Sequence, residues 1–324
     1  MSVEGLVSAV VPTKDRPAML RRAVRSVREQ TYEPIELIVV DDGSEEPARE
    51  AIADLQDGTL ERFVIRRQAT NRGAAAARNV GIETARGEYV AFLDDDDQWE
   101  PRKTERQVAA LAAADEDAGV TFVGNRQIDA DGTTVDTHVR DTDGDISAEI
   151  LYGNYIGSFS GVLVERDLVD AVGGLDERFP AWQDWELYVQ LAQRAEFVAV
   201  PEPLARRSVE HGGRISPGYD AKREIAPVLF EDYLREPAAA HGVERRVRGS
   251  LQARLGRAAW LEGRFPEARR HYAHAIGTYP LETSFWVFLL AVSGGPYTMH
   301  VAKQAKRLLE SLPSVDEIRG NNLS

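Results

Sequence analysis

The chain is 324 residues long and carries 39 Lys and Arg against 53 Asp and Glu, a formal net charge of −14. That balance opposes nucleic-acid partners, whose phosphates need clustered positive charge. The absence of cysteine excludes disulfides, thiolate metal sites and thiol nucleophiles.

The length suits one large α/β domain with an appendage. Residues 6–11 read as a buried strand, Pro12-Thr13-Lys14-Asp15-Arg16-Pro17 as a loop and residues 18–30 as a helix. A second strand over 35–40 ends in Asp41-Asp42-Gly43-Ser44, and Pro47 opens a helix at its first turn. Residues 63–66 give a third strand, the alanine-rich stretch 73–85 a helix and 89–93 a buried parallel strand. This alternation implies a parallel sheet with right-handed crossovers. Further on, 120–123 reads as a strand, Asp131-Gly132 as a hairpin turn, 141–145 as a polar loop, 158–164 as a strand and 184–194 as a helix. From about residue 220 the pattern is helical. The run Ala258 to Phe265 with Ala268, Tyr272, Ala275 and Pro280 resembles a single tetratricopeptide-type hairpin, a packing appendage since a solenoid needs several repeats. The start Met1-Ser2-Val3-Glu4 lacks the basic region of a secretion signal, and the apolar run 285–292 is far shorter than the roughly 20 residues that span a bilayer. The expectation is a cytoplasmic protein, with any membrane contact peripheral.

Asp94-Asp95-Asp96-Asp97 ends the strand over 89–93. Carboxylates so crowded repel one another unless a cation neutralises them. Hard oxygen ligands suit Mg²⁺ or Mn²⁺, which bridge to phosphates. If the strand stays extended, Asp94 and Asp96 point together, Asp95 points away and Asp97 lies on the loop. The plain alternative is a solvated acidic turn capping the helix after Pro101. The segment Asn71 to Asn79 and the upstream pair Asp41-Asp42 weigh against it.

These segments resemble the family 2 glycosyltransferases of GT-A fold. The matching residues are Val10-Val11-Pro12-Thr13, Val39-Val40-Asp41-Asp42-Gly43-Ser44, Asn71-Arg72-Gly73, Ala77-Arg78-Asn79 and the stretch from Gly87 to Asp97. Gly173-Gly174-Leu175-Asp176-Glu177-Arg178-Phe179 and Gln183-Asp184-Trp185-Glu186-Leu187 match as well, so the likeness covers about residues 5–215. It implies a Rossmann-like, mostly parallel sheet flanked by helices over residues 1–217, with a helical region over 218–324. It also implies an inverting transferase that moves sugar from a nucleotide sugar, a UDP-sugar by preference, to a glycan, lipid-linked or surface-polymer hydroxyl.

The resemblance also assigns roles. Pro12 and Thr13 lie against the nucleoside, Asp41 accepts the uracil imide N–H, and Asn71, Gly73 and Arg78 serve the nucleotide. Asp94 faces ribose or metal, Asp96 ligates the metal, and Asp97 supports them through hydrogen bonds. Asp184 is the general base, preceded by Gln183 where the family has glutamate. His211 completes the metal shell or meets phosphate, with Arg206, Arg207 and Arg214 as further phosphate partners. Apart from the resemblance, aromatic faces stack on sugar rings, so one of Trp182 and Trp185 is expected to face the acceptor. Asp42 is expected to cap the helix after Pro47, and Arg78 has the alternative of holding a neighbouring carboxylate. Two competing readings are a nucleotidyltransferase, disfavoured by a first loop without glycine, and a non-catalytic scaffold, disfavoured by intact Asp41, Asp94, Asp96 and Asp184.

Overall fold

Aliphatic runs without polar alternation build the centre of the sheet. In chain order these are β1 (Val3–Thr13), α1 (Pro17–Arg28), β2 (Ile35–Asp41), α2 (Ala48–Ile52), β3 (Arg62–Arg67), α3 (Ala74–Thr84) and β4 (Gly87–Phe92). The computed structural model describes residues 2–208 and 218–294. β1 is buried from Leu6 onward and β2 throughout, as strands covered on both faces must be. β1 pairs in parallel with β2 and β4, and β2 in parallel with β3. α1 buries Leu20, Ala23, Val24 and Val27 at helical spacing, packing them with Val7, Val11, Leu37 and Val39 of the sheet. Each such leucine or valine, fully buried, contributes about 1.5–3 kcal/mol. α3 lies closer still: a Cβ on Gly81 would come 2.2 Å from Val10 Cγ1, so only glycine lets this helix press on β1.

The chain continues through β5 (Asp97–Trp99), α4 (Lys103–Ala112), β6 (Ala118–Ile128), β7 (Thr134–His138), β8 (Val162–Glu165), α5 (Arg166–Val172), α6 (Gln183–Ala192) and β9 (Glu196–Ser208). The sheet order is β3-β2-β1-β4-β8-β6-β9-β5, with β7 on β6. β8 pairs antiparallel with β4 and β6, β9 parallel with β6, and β5 antiparallel with β9. The result is the expected α/β architecture, a mixed sheet flanked by helices. The hairpin around Asp131-Gly132 forms between β6 and β7, with Gly132 at φ +80°.

Three elements differ from the sequence expectation. Over 158–164 a 3-10 turn, Phe159–Gly161, precedes the shorter strand β8. β5 is a three-residue strand that begins on the last aspartate of the acidic run, and β9 carries Pro201 and Pro203. Those prolines fall where the register jumps from Val123↔Val200 to Gly124↔Pro203, a bulge that tolerates their missing N–H groups.

Contacts divide the chain into two units, Met1–Ser216 and Pro217–Ser324. The second is helical: α7 (Tyr219–Val228), a π-helical segment (Leu229–Leu234), α8 (Arg235–Ala240), α9 (Glu244–Leu261), α10 (Phe265–Thr278) and α11 (Thr283–Ser293). α9 and α10 pack closely against each other, since a Cβ on Gly256 would stand 3.0 Å from the Tyr272 ring. α11 buries Phe285, Ala291 and Val292 and stacks Phe288 on Tyr272, yet leaves Trp286 and Leu290 exposed. Among the described residues, no helix is long and apolar enough to cross a membrane.

Candidate active site

β4 ends at Phe92 and the chain then turns: the Asp97 amide donates to the Asp94 carbonyl at 3.0 Å, leading into β5. The expected continuation of the extended strand is therefore corrected. Asp94 and Asp96 do meet, but through this turn, and Asp97 joins them at the start of β5. One carboxylate oxygen from each of the three lies within 4.8 Å of the others. Asp94 and Asp96 are partly open to solvent while Asp97 is buried. Burial, with the charges of Asp94 and Asp96 beside it, pushes the Asp97 carboxyl well above the usual range. Asp95 turns away, accepting the Thr13 hydroxyl at 2.7 Å and Arg16 at 3.0 Å.

A guanidinium joins this turn to α6. Arg78, buried on α3, pairs with Asp94, donates to Gln183 Oε1 at 2.9 Å and lies 4.2 Å above the Phe159 ring centroid. Gln183 opens α6, and Asp184 follows it. The Asp184 carboxylate accepts the Trp185 amide on Oδ1 and the Asn154 side-chain amide on Oδ2, both at 2.8 Å. Burial pushes its carboxyl up and the charge of Asp94 adds to this, while the Trp185 N–H, Arg78 and Asn154 pull it back.

The loops at the ends of β1 and β2 are stitched together by the Asp42 amide, which donates to the Thr13 carbonyl at 2.9 Å. Pro12 and Thr13 are buried at this tip. Both aspartates at the end of β2 hold backbone, and it is Asp41 rather than the expected Asp42 that meets the start of α2. Asp41, 1% exposed, accepts the amides of Ser44 and Ala48, and so secures its own loop and the start of α2. Asp42 accepts the amides of Arg72 and Gly73 at 2.7 and 2.8 Å, holding the Asn71-Arg72-Gly73 loop. Gly43, at φ +71°, lies so near Asn71 N that a Cβ would come within 2.8 Å, which fixes the same two loops against each other. Asn71 caps Gly73 N at 3.0 Å and remains exposed. Arg206 forms a two-pronged pair with Glu100, away from the acidic turn, while Arg207 faces Asp97 across the β5–β9 ladder. His211 and Arg214 lie outside the described residues. Trp185 is buried, its indole donating to the Ile150 carbonyl; Trp182 is the partly exposed member of the pair.

Sequence reasoning missed Ser160, Asn154 and the pairing of Arg16. The buried Ser160 hydroxyl accepts the Asp94 amide at 3.1 Å and donates to Asp97 at 2.7 Å, clamping the turn from both ends. Ser160 and Asn154 lie in residues 124–161, where no quoted motif falls. Arg16 stood within the first loop, and its pairs with Asp95 and Asp96 show why a cation is useful there.

The sequence model of glycosyl transferase family 2 matches residues 8–173. An uncharacterised glycosyltransferase of Nostoc sp. is 31% identical over 257 residues, 74% of this chain and 78% of its own. Among solved structures, S. aureus TarS 1-349 in complex with UDP superposes with a TM-score of 0.61 at 17% identity, over 95% of this chain and 92% of that one. A mannosyltransferase from Pyrobaculum calidifontis, in complex with GDP-Man and Mn²⁺, gives 0.52 at 19% identity over 94% and 88%. The nucleotidyltransferase and scaffold readings give way to these likenesses. The chain belongs to glycosyl transferase family 2 and is a glycosyltransferase of GT-A fold.

Proposed function

We propose that this glycosyltransferase moves a sugar from a nucleotide sugar, a UDP-sugar by preference, to a hydroxyl of a glycan, lipid-linked or surface-polymer acceptor, with inversion at the anomeric carbon. The observation that carries the reading is the convergence of Asp94, Asp96 and Asp97 at the sheet tip, linked through Arg78 and Gln183 to Asp184. The UDP and the GDP-Man with Mn²⁺ held by the two structural neighbours support the donor class.

The three carboxylates fit a hard divalent cation: their oxygens cluster, and burial of mutually repelling charge disfavours the site without one. Asp94, Asp96 and Asp97 would hold Mg²⁺ or Mn²⁺, which when bound neutralises the donor diphosphate and stabilises charge on the leaving group. The chain's own residues do the rest. Asp41 and Asp42 fix the loops that form the nucleoside pocket with Pro12, Thr13, Asn71 and Gly73. Arg78 sets the distance between acidic turn and base. Asp184 takes the proton from the acceptor hydroxyl as that oxygen attacks the face opposite the diphosphate, a single displacement that inverts configuration. The raised Asp184 carboxyl makes it a better base than an ordinary surface aspartate. His211 lies outside the described residues, and the family likeness alone assigns it to the metal shell or the diphosphate. Nucleotide sugars do not cross bilayers unaided, so the reaction belongs to the cytoplasmic side.

The test is a screen of UDP-glucose, UDP-N-acetylglucosamine and GDP-mannose for release of nucleoside diphosphate, with and without Mn²⁺. Release should need the ion. Asp96→Ala and Asp184→Ala should each abolish it, while only Asp96→Ala weakens donor binding by calorimetry. Metal-dependent affinity unchanged in Asp96→Ala would refute the reading.

A further inference from the structure

The segment Gly153-Asn154-Tyr155-Ile156-Gly157 lies within the stretch that the family model matches but in none of the motifs quoted from the sequence, and it touches Asp184. Asn154 Nδ2 donates to Asp184 Oδ2 at 2.8 Å and to the Gly157 carbonyl at 2.8 Å, while Asn154 Oδ1 accepts the Gly157 amide at 3.0 Å. Both ends of the amide thus grip one residue's backbone. Only one orientation of the amide satisfies a donor and an acceptor at Gly157 together, so Nδ2 is the end held against Asp184. The loop is closed by glycines at φ +140° and +121°, backbone that L side chains seldom adopt. Sequence and backbone therefore build a rigid bracket that supports one amide N–H.

We propose that Asn154 is a positioning residue that aims the Asp184 carboxylate and sets its basicity, an inference that rests on Asp184 being the general base. Its N–H stabilises the charged form of Asp184 and engages one of its oxygens. The Trp185 amide holds the other, so the carboxylate can neither rotate nor swing toward the acidic turn. The charged and titratable groups facing Asp184 are Asp94 after β4, Arg78 on α3 and Tyr188 one turn along α6. Asp94 raises the carboxyl and Arg78 lowers it. Asn154 is the neutral donor among them, so deleting it changes hydrogen bonding without changing charge.

The experiment uses the full chain, Mn²⁺ and whichever of UDP-glucose, UDP-N-acetylglucosamine and GDP-mannose turns over fastest, with kcat/KM followed against pH. Removing a donor to the carboxylate raises its pKa, so in Asn154→Ala the acid limb should move up by about one pH unit. Below that limb the rate should fall about tenfold. Asn154→Asp, which sets a second carboxylate against the first, should move the limb further. UDP affinity with Mn²⁺ should be unchanged in both, a result that also reports an intact fold. An acid limb at the wild-type pH in a folded Asn154→Ala overturns the inference. Should Asn154→Ala lose UDP binding, Gly157→Ala decides instead: a Cβ at φ +121° strains the bracket with Asn154 still present, and the same limb must shift upward or the inference fails. Asp184→Asn separates the two claims. If it retains transfer, the base assignment and this inference both fall; if it is inactive while the Asn154→Ala limb stays put, only the inference falls.

Discussion

Two strands of this sheet, β2 and β4 on either side of β1, end in adjacent aspartates, and the surroundings put them to opposite use. After β2, Asp41 and Asp42 accept the backbone amides of Ser44, Ala48, Arg72 and Gly73, and the Gln68 amide besides. After β4, Asp94, Asp96 and Asp97 face one another, and their partners are Arg78, Arg16 and the Ser160 hydroxyl. A carboxylate saturated by N–H groups is a fastener: its charge is spent on loop geometry. Carboxylates crowded by their own kind keep charge that the fold alone does not satisfy, which is the condition for recruiting a cation. Residue type is identical at both tips, so the difference lies in how many amides the local turn presents.

The sharpest way to break this comparison is to remove one member from each tip. Asp96→Ala should lower transfer by about 10³-fold or more, since charge stabilisation on the leaving group is worth several kcal/mol, with little loss of fold stability. Asp42→Ala should do the reverse in order of cause. It leaves the Arg72 amide and the Gln68 side chain without this acceptor and the Gly73 amide with Asn71 alone, at a cost of about 2–3 kcal/mol. Urea unfolding would show it, and activity should fall only as the protein unfolds or its loop loosens. If Asp42→Ala melts like wild type, the fastener reading is wrong. Next in size is Asp97→Asn. Asparagine can still accept the Ser160 hydroxyl and needs no proton to stay neutral beside Asp94 and Asp96, so at neutral pH the metal-free protein should gain about 1–2 kcal/mol. The same variant should lose the rise in melting temperature that Mn²⁺ gives wild type. A variant less stable than wild type without metal would show that Asp97 is better satisfied than its neighbours imply.

Much of this was legible beforehand, and the exceptions have physical reasons. The strands β1, β2 and β4 are apolar on both faces, a pattern that survives any tertiary context, so the sheet core and the loops at its tip could be read directly. The meeting of Asp94 with Asp96 was anticipated through strand alternation, whereas the chain achieves it with a turn that also recruits Asp97. Period-2 reasoning fails where a strand ends, because the next residues follow their own hydrogen bonds. That Asp41 rather than Asp42 meets the start of α2 is likewise decided by the hydrogen bonds of the turn. Ser160 and Asn154 left no local signal, since their partners lie 66 and 30 residues away in sequence. β9 was hidden by its prolines, which a bulge absorbs.

A third kind of carboxylate gives the comparison its smallest test. Glu186 is fully buried on α6, with neither a ring of amides nor a cluster of acids around it. It accepts the Gln190 side chain and, more weakly, the Asp176 amide, and Asp176 and Arg178 are the charged groups nearby. Burial raises its carboxyl from 4.5 to about 7. Folding therefore favours the protonated form: this group's contribution is complete below its ordinary value and is lost as pH rises through about 7. Glu186→Gln should remove that dependence. Between about pH 5 and pH 8 the linkage amounts to at most about 3 kcal/mol. The glutamine must also turn an NH₂ toward a neighbouring donor, which reduces the net gain at pH 8 to about 1 kcal/mol. Urea midpoints of both proteins at the two pH values settle it, because a mere packing change would shift both midpoints equally, whereas a buried titrating acid makes the gap open only on the alkaline side.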